Sequence, residues 1–189
     1  YLFNLHNANI CRLLRKMEPL LAKKISIKKD RSLTADKVMK ILVDVSEQPT
    51  QRPAKRQKQP YSGKKKRHTI KTQVVVDRQS KQVICRSFCK GRRHDFGLYK
   101  QSKVLIREEV KVLVDSGYQG IGKIHSKAEV PKKRRKKQAL TKQEKKHNQL
   151  LARERVINEN VIGMLKRFKI IAVRYRNRRN RFRLRFNLI

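Results

Sequence analysis

The stretch that constrains the fold most is Lys111-Val-Leu-Val-Asp115-Ser-Gly, which places a carboxylate directly after three apolar residues. The apolar residues predict a short buried strand, and the Ser-Gly pair predicts the turn that ends it. A carboxylate beside a core is costly unless hydrogen bonds or a cation compensate its charge. Asp115 therefore either caps the following turn or binds a metal ion, and this stretch by itself favours neither.

The charge of the chain indicates its partner. Lys and Arg number 52 against 14 Asp and Glu, and the formal net charge is +38. A field of this strength attracts polyanions, so nucleic acid is the first expected partner and an anionic membrane surface the second. No apolar run approaches the roughly 18 residues that a membrane-spanning helix needs. The three cysteines lack the paired spacing of a zinc site, which predicts free thiols in a reducing cytoplasm.

The order of predicted elements is that of an α/β protein with helices on the faces of a sheet. An amphipathic helix starts near Asn7 and breaks or kinks at Pro19, and one or two helical turns follow at 32–40. A strand at 41–45 precedes a proline-containing loop at 48–60, and residues 69–77 and 82–88 form a hairpin. A helix at 96–103, capped by Asp95, leads to the strand that ends at Asp115. A capping box at Thr141 opens a long helix to about residue 168, followed by a strand at 170–175 and a helix at 176–189.

Three acids stand out in these elements. Asp44 lies inside a strand, Asp115 follows one, and Glu159 lies on the long helix. On that helix Arg155, Glu159 and Lys166 share one side, and a separate apolar arc is expected to face the sheet. The apolar arc consists of Leu150, Ile157, Val161, Met164, Leu165 and Phe168. If the acids converge, their hard oxygen ligands suit two Mg²⁺ or Mn²⁺ ions, which support phosphodiester cleavage. The alternative for Glu159 is a simple helical ion pair with Arg155.

Five motifs in order give the chain a family resemblance. They are Asp44-Val-Ser-Glu-Gln-Pro, Tyr61-Ser-Gly-Lys-Lys-Lys-Arg-His-Thr, Gly91-Arg-Arg-His-Asp, Asp115-Ser-Gly-Tyr-Gln-Gly, and Glu159-Asn with Lys166. Together they resemble the DDE transposases of bacterial insertion sequences, a type of DDE superfamily endonuclease. The resemblance covers residues 35–189, and the N-terminal helix is similar to the family's helix-turn-helix remnant.

The resemblance implies a ribonuclease-H-like fold, with a helical DNA-binding remnant at 1–31 and a catalytic domain at 32–189. It implies that Asp44, Asp115 and Glu159 are the catalytic residues and hold two Mg²⁺ or Mn²⁺ ions. The implied activity is metal-dependent DNA cleavage and strand transfer. The resemblance also implies that the protein associates with itself on DNA at the nucleoid of the bacterial cytoplasm, and that it has no membrane partner. The family's Tyr-x2-Arg-x3-Glu-x6-Lys signature is kept at Arg155, Glu159 and Lys166, but Ala152 stands at the tyrosine position. We also expect the chain to be N-terminally truncated.

Basic side chains are the expected DNA contacts. Their field predicts binding that is mainly electrostatic and weakly sequence-specific. They are Arg155, Lys166, Lys64, Lys65, Lys66, Arg67, Lys132, Lys133, Arg134 and Arg135. Two rival interpretations remain open: a basic nucleic-acid-binding protein without catalysis, and an inactive transposase remnant that only binds DNA. The first rival does not explain why acids stand in apolar strands.

Overall fold

The computed structural model describes residues 4–25, 32–33, 38–134, 138–176 and 181–189. Its strands are β1 (Ser32–Leu33), β2 (Lys40–Pro49), β3 (Tyr61–Ser62), β4 (Arg67–Asp77), β5 (Val83–Lys90), β6 (Leu105–Ile106), β7 (Lys111–Val114) and β8 (Ala128–Glu129). Its α-helices are α1 (Asn7–Lys24), α2 (Asp95–Ser102), α3 (Lys142–Lys166), α4 (Lys169–Ala172) and α5 (Phe182–Asn187).

The main sheet is mixed and has the order β5–β4–β2–β7–β8. β4 runs antiparallel to both β2 and β5, whereas β7 runs parallel to β2 and β8. The short β3 pairs with the first residues of β4, and β1 pairs separately with β6. A mixed sheet between helices is the α/β architecture that the element order predicted.

The central strands bury both of their faces. Alternate residues of β2 enter different hydrophobic clusters: Ile41 and Val43 pack on the side of α2, and Leu42 packs on the side of α3 and α5. β7 divides its residues in the same way, with Leu113 on the side of α3. Because successive side chains of a strand point to opposite faces, a continuous apolar run is what a strand covered on both sides requires.

Two local predictions are confirmed. The β4–β5 hairpin turns at Asp77, whose carboxylate accepts hydrogen bonds from the Ser80 backbone nitrogen at 2.8 Å and its hydroxyl at 2.6 Å. α3 opens with a complete capping box, in which Thr141 Oγ1 accepts from the Glu144 nitrogen and the Glu144 carboxylate accepts from the Thr141 nitrogen. Both devices satisfy backbone donors that would otherwise lack a partner.

Several helix boundaries differ from the predictions. α1 starts at Asn7 as predicted, and His6 caps it through its ring nitrogen Nδ1, which accepts a hydrogen bond from the Ala8 nitrogen. The helix continues through Pro19 to Lys24. The prediction that Asp95 caps α2 is also wrong: His94 occupies the cap position, and the Asp95 carboxylate bonds to Lys71 instead.

Other predictions fail because distant partners decide the local structure. Ser32–Leu33 forms a strand with β6 rather than a helical turn, and residues 34–37 lie outside the described residues. The expected strand at 170–175 is the short helix α4, followed by a single bridge between Tyr175 and Thr50. β2 extends to Pro49, so the predicted loop at 48–60 starts later. In the predicted C-terminal helix, residues 177–180 lie outside the described part, and α5 follows them.

The buried side of α3 is rotated relative to the predicted apolar arc. Leu151, Asn158, Val161 and Ile162 are its buried residues. Leu150, Met164 and Phe168, which the prediction placed against the sheet, are 52%, 47% and 50% exposed. The prediction was right for part of the arc: Val161 is buried, and Ile157 and Leu165 are partly buried against the same core.

An ion-pair cluster fastens α1 to α5. Arg185 Nε lies 2.7 Å and Arg181 Nη1 lies 3.2 Å from the two carboxylate oxygens of Glu18, which is buried. The apolar residues of α1, among them Leu13 and Leu14, are about half exposed. Within the described residues, no helix is long and apolar enough to cross a membrane.

Candidate metal and nucleic-acid site

Parallel pairing of β2 and β7 brings two acids together. The last paired residues of the two strands are Val43 and Val114. Asp44 continues β2 and Asp115 directly follows β7, so the two acids stand side by side where the β2–β7 pairing ends. Adjacent strands lie about 4.8 Å apart, which brings the two residues close together. The apolar residues before each acid thus fix its position through the core.

Asp115 makes two contacts that hold its carboxylate at the start of a tight turn. Its Oδ1 accepts a hydrogen bond from the Ser116 nitrogen at 2.6 Å and so caps a 3-10 turn at residues 116–118. The same oxygen accepts from Arg155 Nη1 on α3 at 3.1 Å. Capping, one of the two interpretations open from the sequence, is therefore part of the role of Asp115. The contact with a cation shows that the carboxylate also attracts positive charge.

The carboxylate of Asp44 is destabilised in its charged form by burial. Its Oδ1 accepts from the Val45 nitrogen at 2.7 Å. Burial raises the pKa of Asp44 above its usual value, and the negative charges of Asp115 and Asp95 raise it further, against the lowering effects of the Val45 hydrogen bond and the Arg155 charge. A group in this state gains from a nearby cation, because positive charge stabilises its ionised form.

α3 supplies the third acid. Glu159 and Lys166 are exposed on the side of α3 that faces Asp44 and Asp115 across a cleft of about 380 Å³. Arg155, Ile162 and Gly163 of the same helix also line this cleft, which we call the acidic cleft. No three His, Cys, Asp or Glu side chains in the described ranges are arranged as they stand to hold a metal ion.

The basic residues fall into groups with different surroundings. Lys64 and Lys65, in the turn between β3 and β4, line the acidic cleft. Lys66 in the same turn and Arg67, the first residue of β4, are exposed, and Arg67 donates to the Lys65 carbonyl.

The second basic block lies at the start of α3. Lys132 pairs with Glu144 at 3.1 Å, and its backbone nitrogen donates to Asn148. Lys133 and Arg134 are exposed, and Arg135 lies outside the described residues. This block is therefore anchored to the surface at Lys132.

Sequence reasoning missed a buried acid–base group beside the cleft. Lys71 of β4 lies 2.8 Å from Asp95 and 3.4 Å from Glu47, and both acids line the acidic cleft. Burial acts to lower the pKa of Lys71, but the hydrogen bond to Asp95 and the charges of both acids raise it overall. Both acids belong to motifs that the sequence analysis quoted: Glu47 follows Asp44 by three residues, and Asp95 ends Gly91-Arg-Arg-His-Asp. The register that joins Glu47 to Lys71 was not visible in the sequence.

Comparison with known proteins gives one family and one curated relative. The family described as DDE superfamily endonuclease matches residues 43–186. A probable transposase for insertion sequence element IS702 from Microchaete diplosiphon is 42% identical over 191 residues, which cover 99% of this chain and 69% of that protein. No solved structure matches the chain. The family match spans every residue of the acidic cleft.

Proposed function

We propose that this chain, which belongs to the DDE superfamily endonucleases and is a transposase of the insertion-sequence type, uses divalent metal ions to cleave DNA and transfer the cut strand. The observation that carries the proposal is the acidic cleft, which gathers Asp44, Asp115 and Glu159 among cationic side chains. A protein that only neutralised phosphates would have no use for carboxylates here.

The donor set of the cleft fits two Mg²⁺ or Mn²⁺ ions. Its three proposed ligands are carboxylates, the hard oxygen donors that these ions prefer. The raised pKa of Asp44 supports this fit, because a nearby cation would stabilise its ionised form. The Arg155 contact shows that Asp115 accepts a cationic partner. When bound, the ions would stabilise the attacking and leaving oxygens of a phosphodiester during in-line displacement.

The chain's own residues would position the DNA. Arg155 uses one of its five N–H donors on Asp115, so the rest of its planar fork can bind a phosphate held next to the acid. Lys166, Lys64 and Lys65 line the same cleft and would act as point charges on neighbouring phosphates. Lys71 contacts both Glu47 and Asp95, so it would offset part of their negative charge and weaken their repulsion of the strand.

The finer parts of the proposal follow from the same premise. We assign the mixed sheet and its helices to a ribonuclease-H-like catalytic domain at 32–189, preceded by a helix-turn-helix remnant at 1–31. The net charge of +38 supports binding of transposon ends and target DNA, at the nucleoid of the bacterial cytoplasm. Self-association on DNA is part of the proposal, because strand transfer has to bring two DNA ends to one target.

A supercoiled-plasmid nicking assay tests the function. Asp115→Asn keeps the cap and the shape but removes the charge, so it should abolish nicking in Mg²⁺ and Mn²⁺ while leaving DNA binding intact or slightly stronger. Glu109→Gln, at an exposed acid outside the cleft, removes the same charge and should nick normally. Chelator should stop nicking by the unaltered chain. Equal nicking by wild type and Asp115→Asn would refute the assignment.

A further inference from the structure

A second cleft, of about 670 Å³, is lined by residues before, within and after the β3–β4 turn. This volume is typical of sites that enclose a small organic group. Its walls combine two aromatic rings, three cations and an amide: Tyr61, His68, Arg52, Lys58, Arg92 and Gln57. We call it the aromatic cleft. Its residues are distinct from those assigned above to ions or phosphates.

The rings form a platform with exposed surface. Tyr61 of β3 is paired with His68 of β4, and their ring centroids lie 5.6 Å apart at an interplanar angle of 74°. An edge-to-face contact of this kind covers one ring face and leaves the others of the pair open. Tyr61 remains 42% exposed although it lies within a strand pair. An exposed ring face is a surface on which a nucleobase can stack.

The surrounding wall is fixed by backbone hydrogen bonds. The Thr69 nitrogen donates to the Pro60 carbonyl at 2.8 Å, and the Arg92 nitrogen donates to the Gln59 carbonyl at 3.2 Å. Arg52 Nε donates to Gln57 Oε1 at 2.9 Å, which orients its guanidinium. A backbone held in this way loses little freedom on binding, and the guanidinium of Arg52 is already oriented.

We propose that the aromatic cleft binds one unstacked nucleobase of single-stranded DNA, with the adjacent phosphates on Arg52, Lys58 and Arg92. The inference rests on the proposed function in that DNA is the substrate. Lys64 and Lys65 line the acidic cleft and stand in the sequence between Tyr61 and His68 of the aromatic cleft, so the β3–β4 turn borders both clefts. Along β4, His68 stands six residues before Val74, and Val74 is paired with Asp44. Six residues of strand separate His68 from Val74 by about 20 Å. That distance spans about six stacked nucleotides and fewer in an extended strand.

The test compares two oligonucleotides of about a dozen nucleotides, one of thymidines and one of abasic sugar-phosphates, in chelator. Wild type should bind the base-bearing strand more tightly. Tyr61→Ala should weaken that binding about tenfold, which corresponds to about 1.4 kcal/mol, and leave the abasic strand unaffected. Tyr61→Phe should bind like wild type. Tyr61→Leu keeps a large apolar side chain without a π face and should behave like Tyr61→Ala, which keeps the test valid if the alanine variant unfolds.

Charge controls separate stacking from electrostatics. Lys58→Gln should weaken binding of both strands to a similar extent, whereas Lys81→Gln, in the turn at the opposite end of β4, should change neither. Equal loss for both strands in Tyr61→Ala, or no preference of wild type for bases, would overturn the inference. Because these measurements need no metal ion or cleavage, failure of the catalytic proposal appears separately, as equal nicking by Asp115→Asn.

Discussion

Gly91 offers a sharp test of how rigidly the loop before β3 is held. A Cβ at this position would lie 2.1 Å from Thr69 Oγ1 and 2.7 Å from the Pro60 carbonyl oxygen. Thr69 Oγ1 can rotate away, at the expense of its 3.2 Å hydrogen bond to Glu47. The Pro60 oxygen cannot, because the Thr69 nitrogen holds it at 2.8 Å. Gly91→Ala must therefore push the loop from the sheet.

The expected cost follows from these contacts. Overpacking costs about 1–3 kcal/mol, and each weakened hydrogen bond adds about 0.5–1.5 kcal/mol. We expect a loss of about 3 kcal/mol in the free energy of unfolding, measured by urea titration followed by circular dichroism. In a chain of this length such a loss lowers the melting temperature by about 6–12 °C.

A second glycine provides the control. At Gly122, an added methyl group would have no neighbouring atom within 4 Å. Gly122→Ala should leave stability within about 0.5 kcal/mol or raise it slightly, since alanine restricts the unfolded chain. If Gly91→Ala were as stable as Gly122→Ala, the loop would yield to the methyl group, and the fixed wall inferred for the aromatic cleft would be wrong.

Four further changes have defined outcomes. Because burial raises the pKa of Asp44, the folded protein retains a proton at pH values where the unfolded chain has lost it. The free energy of unfolding therefore falls as the pH rises from about 3.8 through the raised pKa. Asp44→Asn should remove this pH dependence, raise the unfolding midpoint at neutral pH and abolish nicking. Arg155→Gln leaves Asp115 without its cation, so calorimetry should detect several-fold tighter Mg²⁺ binding while nicking falls at least about tenfold; weaker Mg²⁺ binding would contradict this. Thr141→Ala should cost about 1 kcal/mol of stability without changing the nicking rate. DNA affinity should fall linearly with salt on logarithmic axes, and replacing Lys64 with Gln should reduce that slope by about 0.9; a salt-independent affinity would exclude electrostatic binding.

The parts of the fold that sequence predicted are those encoded by neighbouring residues. The hairpin turn at Asp77 and the capping box at Thr141 satisfy backbone groups two or three residues away, so their patterns are complete within a short window. The strand at Ser32–Leu33 depends on Leu105–Ile106, more than seventy residues later, and no local pattern announces it. Family membership, inferred from five ordered motifs, is confirmed by the match over residues 43–186.

The candidate site divides along the same line. Asp44 follows the apolar first residues of β2 and Asp115 directly follows β7, and this placement led the sequence analysis to consider that the acids converge. In the structure both line one cleft. Asp95 was misassigned as a helix cap because its true partner, Lys71, lies on a strand of the hairpin that precedes α2. Pairing across the sheet decides such contacts, and sequence spacing does not reveal its register.

The unbroken pairing of β4 with β2 has a consequence for how this protein could vary. β4 carries His68 of the aromatic cleft near one end, and its Val74 is paired with Asp44 of the acidic cleft. The number of strand residues between His68 and Val74 therefore fixes the distance between the two clefts. Substitutions can change what each cleft accepts but not the span between them. Only insertions or deletions of an even number of residues preserve which face each side chain occupies. A change of two residues would alter the distance between the clefts by about 7 Å. The spacing should therefore differ between relatives in discrete steps, each with a compensating change in β2.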